Sequence, residues 1–219
     1  MKKKRSKLNL FVGITVLLLA VLGAVSLVMT LHGKISSEIK EKNQALYSDY
    51  EELIAPVIMN DPDTFDDVTL ADINQLISIT IWSVLDGNME PDRYEYTDSG
   101  MLLPEKAVEE KFVSLFGSEV KLVHSSVDGG GIEFRYSEQK KAYIIPITGI
   151  TPIYTPKIID VNEKSSYTVL TVGYLYSSDW QQDSDGNMVP PEPGKYMKIT
   201  LGKNPDGTYY VRAVQNTQI

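Results

Sequence analysis

The spacing of hydrophobic positions changes twice along this chain, and each change predicts a different kind of element. Residues 10–31 form an unbroken apolar run, LFVGITVLLLAVLGAVSLVMTL, with no charge inside it. That is the length a bilayer-spanning helix requires, roughly 20 residues. From residue 34 to residue 55 the chain is charged and helical, and Ile39, Leu46 and Leu53 repeat at seven. This predicts a juxtamembrane helix, with a short coiled coil as the alternative. Pro56 is expected to limit it, because the residue before a proline avoids the helical region. Thr69 is a candidate N-cap, with Asp72 favourably placed at the positive end of the helix dipole. The helix it opens is predicted over residues 70–85, with Ile73, Leu76, Ile77, Thr80, Ile81, Val84 and Leu85 on its apolar side. Asp86, Gly87 and Asn88 stop it. Residues 90–102 read as a polar stretch with tyrosines. Pro104 then opens a further helix, with Val108, Phe112, Val113, Leu115 and Phe116 inside and Gly117 as its stop.

After Gly117 the period becomes two. Strands are predicted over residues 120–123, 132–136, 142–147, 158–161, 167–176, 196–201 and 208–214. Gly129, Gly130 and Gly131 read as a turn, and Pro146 places its strand at a sheet edge. Residues 167–176 are apolar on both faces, as in a central strand. Asn204-Pro205-Asp206-Gly207 is a hairpin turn between the last two strands. Residues 179–194 read as a long polar loop. Helices first and then six or seven mostly antiparallel strands predict an α+β domain, with a curved sheet wrapped over the helices.

Charge turns the apolar run into a topology. Lys2, Lys3, Lys4, Arg5 and Lys7 precede it, and residues 1–31 hold no acid. The positive-inside rule then leaves residues 1–9 as a cytoplasmic tail. Residues 10–31 cross the cell membrane once, residues 32–55 follow, and residues 56–219 form an extracytoplasmic domain. The competing reading is a cleaved signal peptide with Ala24-Val25-Ser26 at the cleavage site. Of the chain's 21 basic residues only 16 lie beyond residue 31, against 29 acidic ones, a net charge of −13. Such a domain repels nucleic acid and anionic headgroups and attracts basic surfaces. The chain has no cysteine, which excludes disulfides, thiolate nucleophiles and thiolate metal sites. A cysteine-free exported domain points to a Gram-positive host.

In outline the predicted domain resembles the cystatin-like and NTF2-like rolls. The whole layout, a short cytoplasmic tail, one crossing and an outer α+β roll, resembles the bridging subunits of bacterial conjugation and type IV secretion machines. The resemblance covers architecture only, and no functional residue carries over from it.

Candidate chemistry is sparse. The two histidines, His32 and His124, stand in no His-x-x-x-His pair, and no nucleophile-elbow or phosphate-binding glycine motif occurs. No cofactor is expected. Asp61, Asp63, Asp66 and Asp67 form one acidic loop, and Asp183, Asp185 and Asn187 form another that begins like an EF-hand. Its Gly186 comes at the fourth position instead of the sixth, so a solvated turn is the plainer reading of this calcium candidate. Tyr174, Tyr176, Trp180 and Tyr196 cluster near the long loop and are the candidate binding residues; strand packing is the plainer role for tyrosines there. The expected function is therefore non-enzymatic: an anchored domain that binds or assembles with another envelope protein. The alternatives are a small-ligand-binding domain and a hydrolase. A pocket lined by Trp180 and tyrosines would favour ligand binding, a flat apolar strand face would favour protein binding, and a carboxylate pair with raised pKa would favour the hydrolase.

Overall fold

The computed structural model describes residues 44–86, 94–147 and 152–217. The expected membrane crossing at 10–31, and the adjoining chain up to residue 43, lie outside the described residues. Among those described, no helix is long and apolar enough to cross a membrane. The chain divides into two units, Met1–Ser48 and Asp49–Ile219, and the fold described here is that of the second. It is α+β with antiparallel sheets, as the sequence predicts.

Helix α1 is described over residues 44–60 and runs through Pro56. Proline there removes one backbone hydrogen bond, yet Ile54, Pro56, Val57 and Ile58 are all buried. Their apolar contacts offset the missing bond, and the helix continues until the Asn60 side chain donates to the Pro56 carbonyl at 2.7 Å. A 3-10 turn, Val68–Leu70, follows, capped by Asp67, whose carboxylate accepts from the Thr69 N–H at 3.0 Å. Helix α2, Ile73–Asp86, therefore starts later than Thr69 suggests; Asp72 receives the Asn74 N–H at 2.9 Å. Its burial is not one-sided: Ser78, Ile79 and Ser83 are buried as well as Leu76, Ile77 and Ile81. A helix enclosed on most sides is central rather than amphipathic. Helix α3, Glu105–Phe116, has Pro104 as its N-cap and stops at Gly117, whose φ of 76° suits glycine.

The strands divide between two main sheets, where the sequence suggests a single curved one. Strands β1 (Glu95–Thr97), β2 (Gly100–Pro104), β3 (Val127–Asp128), β4 (Glu133–Ser137) and β5 (Ala142–Ile145) pair in the order β1-β2-β5-β4-β3. Three expectations change here. The polar stretch 90–102 holds the β1–β2 hairpin. Residues 120–123 are not a strand. Finally, β5 is central, not an edge: its ladder has ended when Pro146 arrives, so the missing N–H is not needed.

The second sheet contains β6 (Tyr154–Glu163) and β7 (Tyr167–Tyr176). After a 3-10 turn, Ser177–Asp179, a separate small hairpin pairs β8 (Gln181–Gln182) with β9 (Met188–Val189). Strands β10 (Lys195–Lys203) and β11 (Tyr209–Asn216) complete the second sheet in the order β11-β10-β7-β6. Thr168, Leu170, Val172 and Tyr174 are buried on one face of β7, and Gly173 and Leu175 on the other. The chain after β9 folds back over this second face. A side chain at Gly173 would meet Pro193 at 2.7 Å.

Both edges of this sheet are interrupted. Beyond β11, Phe65 exchanges two backbone hydrogen bonds with Val214, at 2.8 and 2.9 Å. On β6, Pro156 has no N–H, the Ile158 N–H donates to the Glu51 carboxylate at 2.8 Å, and the register shifts between Ile158 and Asp160.

Candidate functional site

Where the ends of the two sheets approach, short strands and helix ends leave space that side chains do not fill. The result is a cavity of about 350 Å³. Ala55 and Met59 of α1 form one wall, and Trp82 and Leu85 of α2 another. Met101, Phe134 and Ile145 reach it from the five-stranded sheet, Tyr154 and Pro156 from β6. Most of this surface is apolar. Tyr96 and Ile147 also line it and remain 48% and 77% exposed, and Ile153 close by is 62% exposed. The opening therefore has an apolar rim, which water tolerates poorly.

Trp82 is fixed in place. Its Nε1–H donates to the Gly129 carbonyl at 3.1 Å, and its ring meets Phe134 edge-on at 5.1 Å. Gly129 has to be glycine, since a Cβ would stand 2.4 Å from the Phe134 ring. The triple glycine thus does more than turn the chain: it lets a backbone carbonyl and two aromatic rings share one corner of the cavity.

The four aromatic candidates are not gathered on one face. Tyr174 is fully buried, and burial pushes its hydroxyl pKa up. Tyr176 is 39% exposed. Both pack on Tyr154, with ring centroids 5.4 and 4.9 Å away. They stand behind the cavity wall, not in it. A hydrogen bond to the Tyr176 hydroxyl pushes Tyr154 up to about 12. Tyr196 pairs with Gly173, on the face opposite Tyr174. Trp180 lies with Val189, Pro190 and Pro191 beside the small hairpin. Three buried hydroxyls lacking a hydrogen-bond partner, Thr155 Oγ1, Tyr174 Oη and Ser177 Oγ, fall at the same end of β6 and β7. Such groups are rare in folded proteins and call for a reason.

The acidic loops serve the fold. Asp183 accepts the N–H groups of Asp185 and Asn187 at 2.9 and 2.8 Å, and the Asn187 N–H above all holds its carboxyl below the usual range. That is a turn closing β8 onto β9. In the other loop Asp61 pairs with Lys195, Asp63 with Gln75, Asp66 with Gln215 and Asp67 with Arg212. Each carboxylate ties the loop to a different place. Among the described residues no group of three or more His, Asp or Glu side chains is arranged to hold a metal. His124 is packed: its ring stacks on Tyr136, Nδ1 lies 3.0 Å from the Tyr143 hydroxyl and Nε2 3.3 Å from Glu109. Tyr136 in turn donates to Glu105 at 2.6 Å, which pushes Tyr136 up to about 12 and Glu105 down.

Comparison with known proteins adds no relative. No family model matches the chain, and neither a curated protein nor a solved structure does.

Proposed function

We propose that this chain is a membrane-anchored, small-ligand-binding protein whose domain faces the outside of the cell. The observation that carries ligand binding is the apolar cavity with its exposed apolar rim. Its size falls at the lower end of the range for small-molecule sites, about 300–1,000 Å³. Aromatic walls are the feature that favours this reading over assembly, although they come from Trp82, Tyr96 and Tyr154 and not from Trp180. Among the described residues, the carboxyls of Asp67, Glu105, Asp183 and Asp206 are shifted downward, whereas a general acid working near neutral pH is shifted upward.

Ala55 offers a direct test, because it lines the cavity from a helix that also accepts leucine. In a Trp180→Phe background Trp82 is the sole tryptophan and reports on the cavity. 4-Phenylbutan-1-ol should change its fluorescence saturably. Ala55→Leu should weaken that binding by about tenfold, or roughly 1.4 kcal/mol, with little change in melting. No saturable change, or equal binding by Ala55→Leu, sinks the proposal. The anchor is tested separately with protease on intact cells, which should remove the domain; protection until the membrane is opened would reverse the orientation.

A second reading, docking of an envelope protein, is favoured by the β8–β9 hairpin. Met188 and Val189 there are 59% and 44% exposed, and Val189 lies beside Trp180. The net charge of −13 carried by residues 32–219 would steer a basic partner.

A further inference from the structure

The apolar cavity does not stand alone. A second depression of about 420 Å³ adjoins it, and Met59, Trp82 and Pro152 belong to the walls of both. The two differ sharply in character. Asp61, Asp63, Asp72 and Asp128 line the second, together with Asn74 and Gln75. Among the described residues that line either depression there is no lysine, arginine or histidine.

The carboxylates are only partly neutralised. Asp61 forms an ion pair with Lys195. The other three engage uncharged donors: Asp63 accepts from the Gln75 amide at 3.0 Å, Asp72 from the Asn74 N–H at 2.9 Å, and Asp128 from the Gly131 N–H at 2.7 Å. Three carboxylates without a basic partner among the described residues therefore face one concave surface, and concave surfaces focus such a field. Trp82 stands at the seam, where an indole adds its own attraction for a cation.

From this juxtaposition we infer that the ligand is a small amphipathic cation. Its apolar body fills the space against Met101, Phe134 and Ile145, and its positively charged head lies past Trp82 toward Asp63, Asp72 and Asp128. The inference rests on the ligand-binding reading and adds the charge to it. An anionic amphiphile of the same shape would bring its head to the same carboxylates and be repelled.

Three probes share one apolar body and differ in the head: 4-phenylbutylammonium, 4-phenylbutan-1-ol and 4-phenylbutyrate. They are titrated into the full-length Trp180→Phe chain in lipid nanodiscs, with Trp82 fluorescence as readout and empty discs as the blank. The ammonium should bind at least about tenfold more tightly than the alcohol, and the carboxylate more weakly than either. Raising salt from about 0.05 to about 0.5 M should shrink the gap, as screening predicts. The double variant Asp63→Asn, Asp128→Asn keeps both acceptor oxygens while removing two charges. It should weaken the ammonium several-fold and leave the alcohol unchanged, which also shows that the variant is folded. Equal binding of ammonium and alcohol, or an unaffected ammonium in the double variant, overturns the cationic inference while the cavity remains a ligand site. Failure of all three probes overturns the ligand-binding reading itself.

Discussion

The two main sheets share one antiparallel plan, but they are held together differently. In the four-stranded sheet the β6–β7 and β7–β10 ladders run for most of the length of strands nine and ten residues long. In the five-stranded sheet no strand exceeds five residues, and the β3–β4 ladder joins two residue pairs. The long ladders spread cohesion over many bonds. The short ones depend on a few large side chains meeting α2: Phe134, Tyr143, Met101 and Leu103 cluster with Ile77 and Ile81. The difference accounts for where the cavity lies. The long-laddered sheet supplies one wall through β6, and short strands that end early leave room in front of it.

The largest effect expected from this contrast is at Phe134, which is 1% exposed. Phe134→Asp should cost more than about 4 kcal/mol, through lost burial and a carboxylate with no partner. Glu133→Lys, one residue away and exposed on the other face, should stay within about 0.5 kcal/mol. Denaturant melts of both variants check this. Two disruptive variants, or two silent ones, would mean a wrong register. If Phe134→Asp lost only the five-stranded sheet, leaving a second transition for the other, the sheets would be separate folding units.

The smallest effect should come from the hairpin, which belongs to neither main sheet. Trp180→Ala should shift stability by less than about 0.5 kcal/mol. Under the protein-docking reading it should also weaken partner capture at least about tenfold. Melting and capture are measured on one preparation. Unchanged capture by a stable variant removes this surface as a docking site, and a large stability loss would place Trp180 in the core.

The same contrast explains what the sequence made legible. Residues 167–176 are aliphatic, aromatic or threonine at every position but Gly173, and β7 occupies Tyr167–Tyr176. The NPDG turn located β10 and β11 to within a few residues. Strand β1 is Glu-Tyr-Thr, too short and polar to show a period, so its hairpin was missed. Residues 120–123 have the apolar content of a strand but find no ladder. The cavity was hidden for a different reason. Its walls come from residues as far apart as Ala55 and Pro156, and it exists only where their packing is incomplete. One local signal pointed to it: Trp82 falls outside the apolar stripe expected for α2, an awkward place for an indole unless something else covers it. Of the tyrosines named from the sequence, Tyr174 and Tyr176 pack on Tyr154, one layer from the space itself, and Tyr196 lies on the opposite face of the sheet.

The guarded edges of the four-stranded sheet bear on how many copies can live side by side. An open ten-residue edge is a template on which another chain can lay a strand, and the hazard grows where proteins are crowded onto a surface. Here Pro156, the Glu51 carboxylate and the bulge after Ile158 interrupt one edge, while Phe65 occupies part of the other. Neighbouring copies are thereby hindered from backbone zippering along this sheet. Any association through this sheet is left to its side chains.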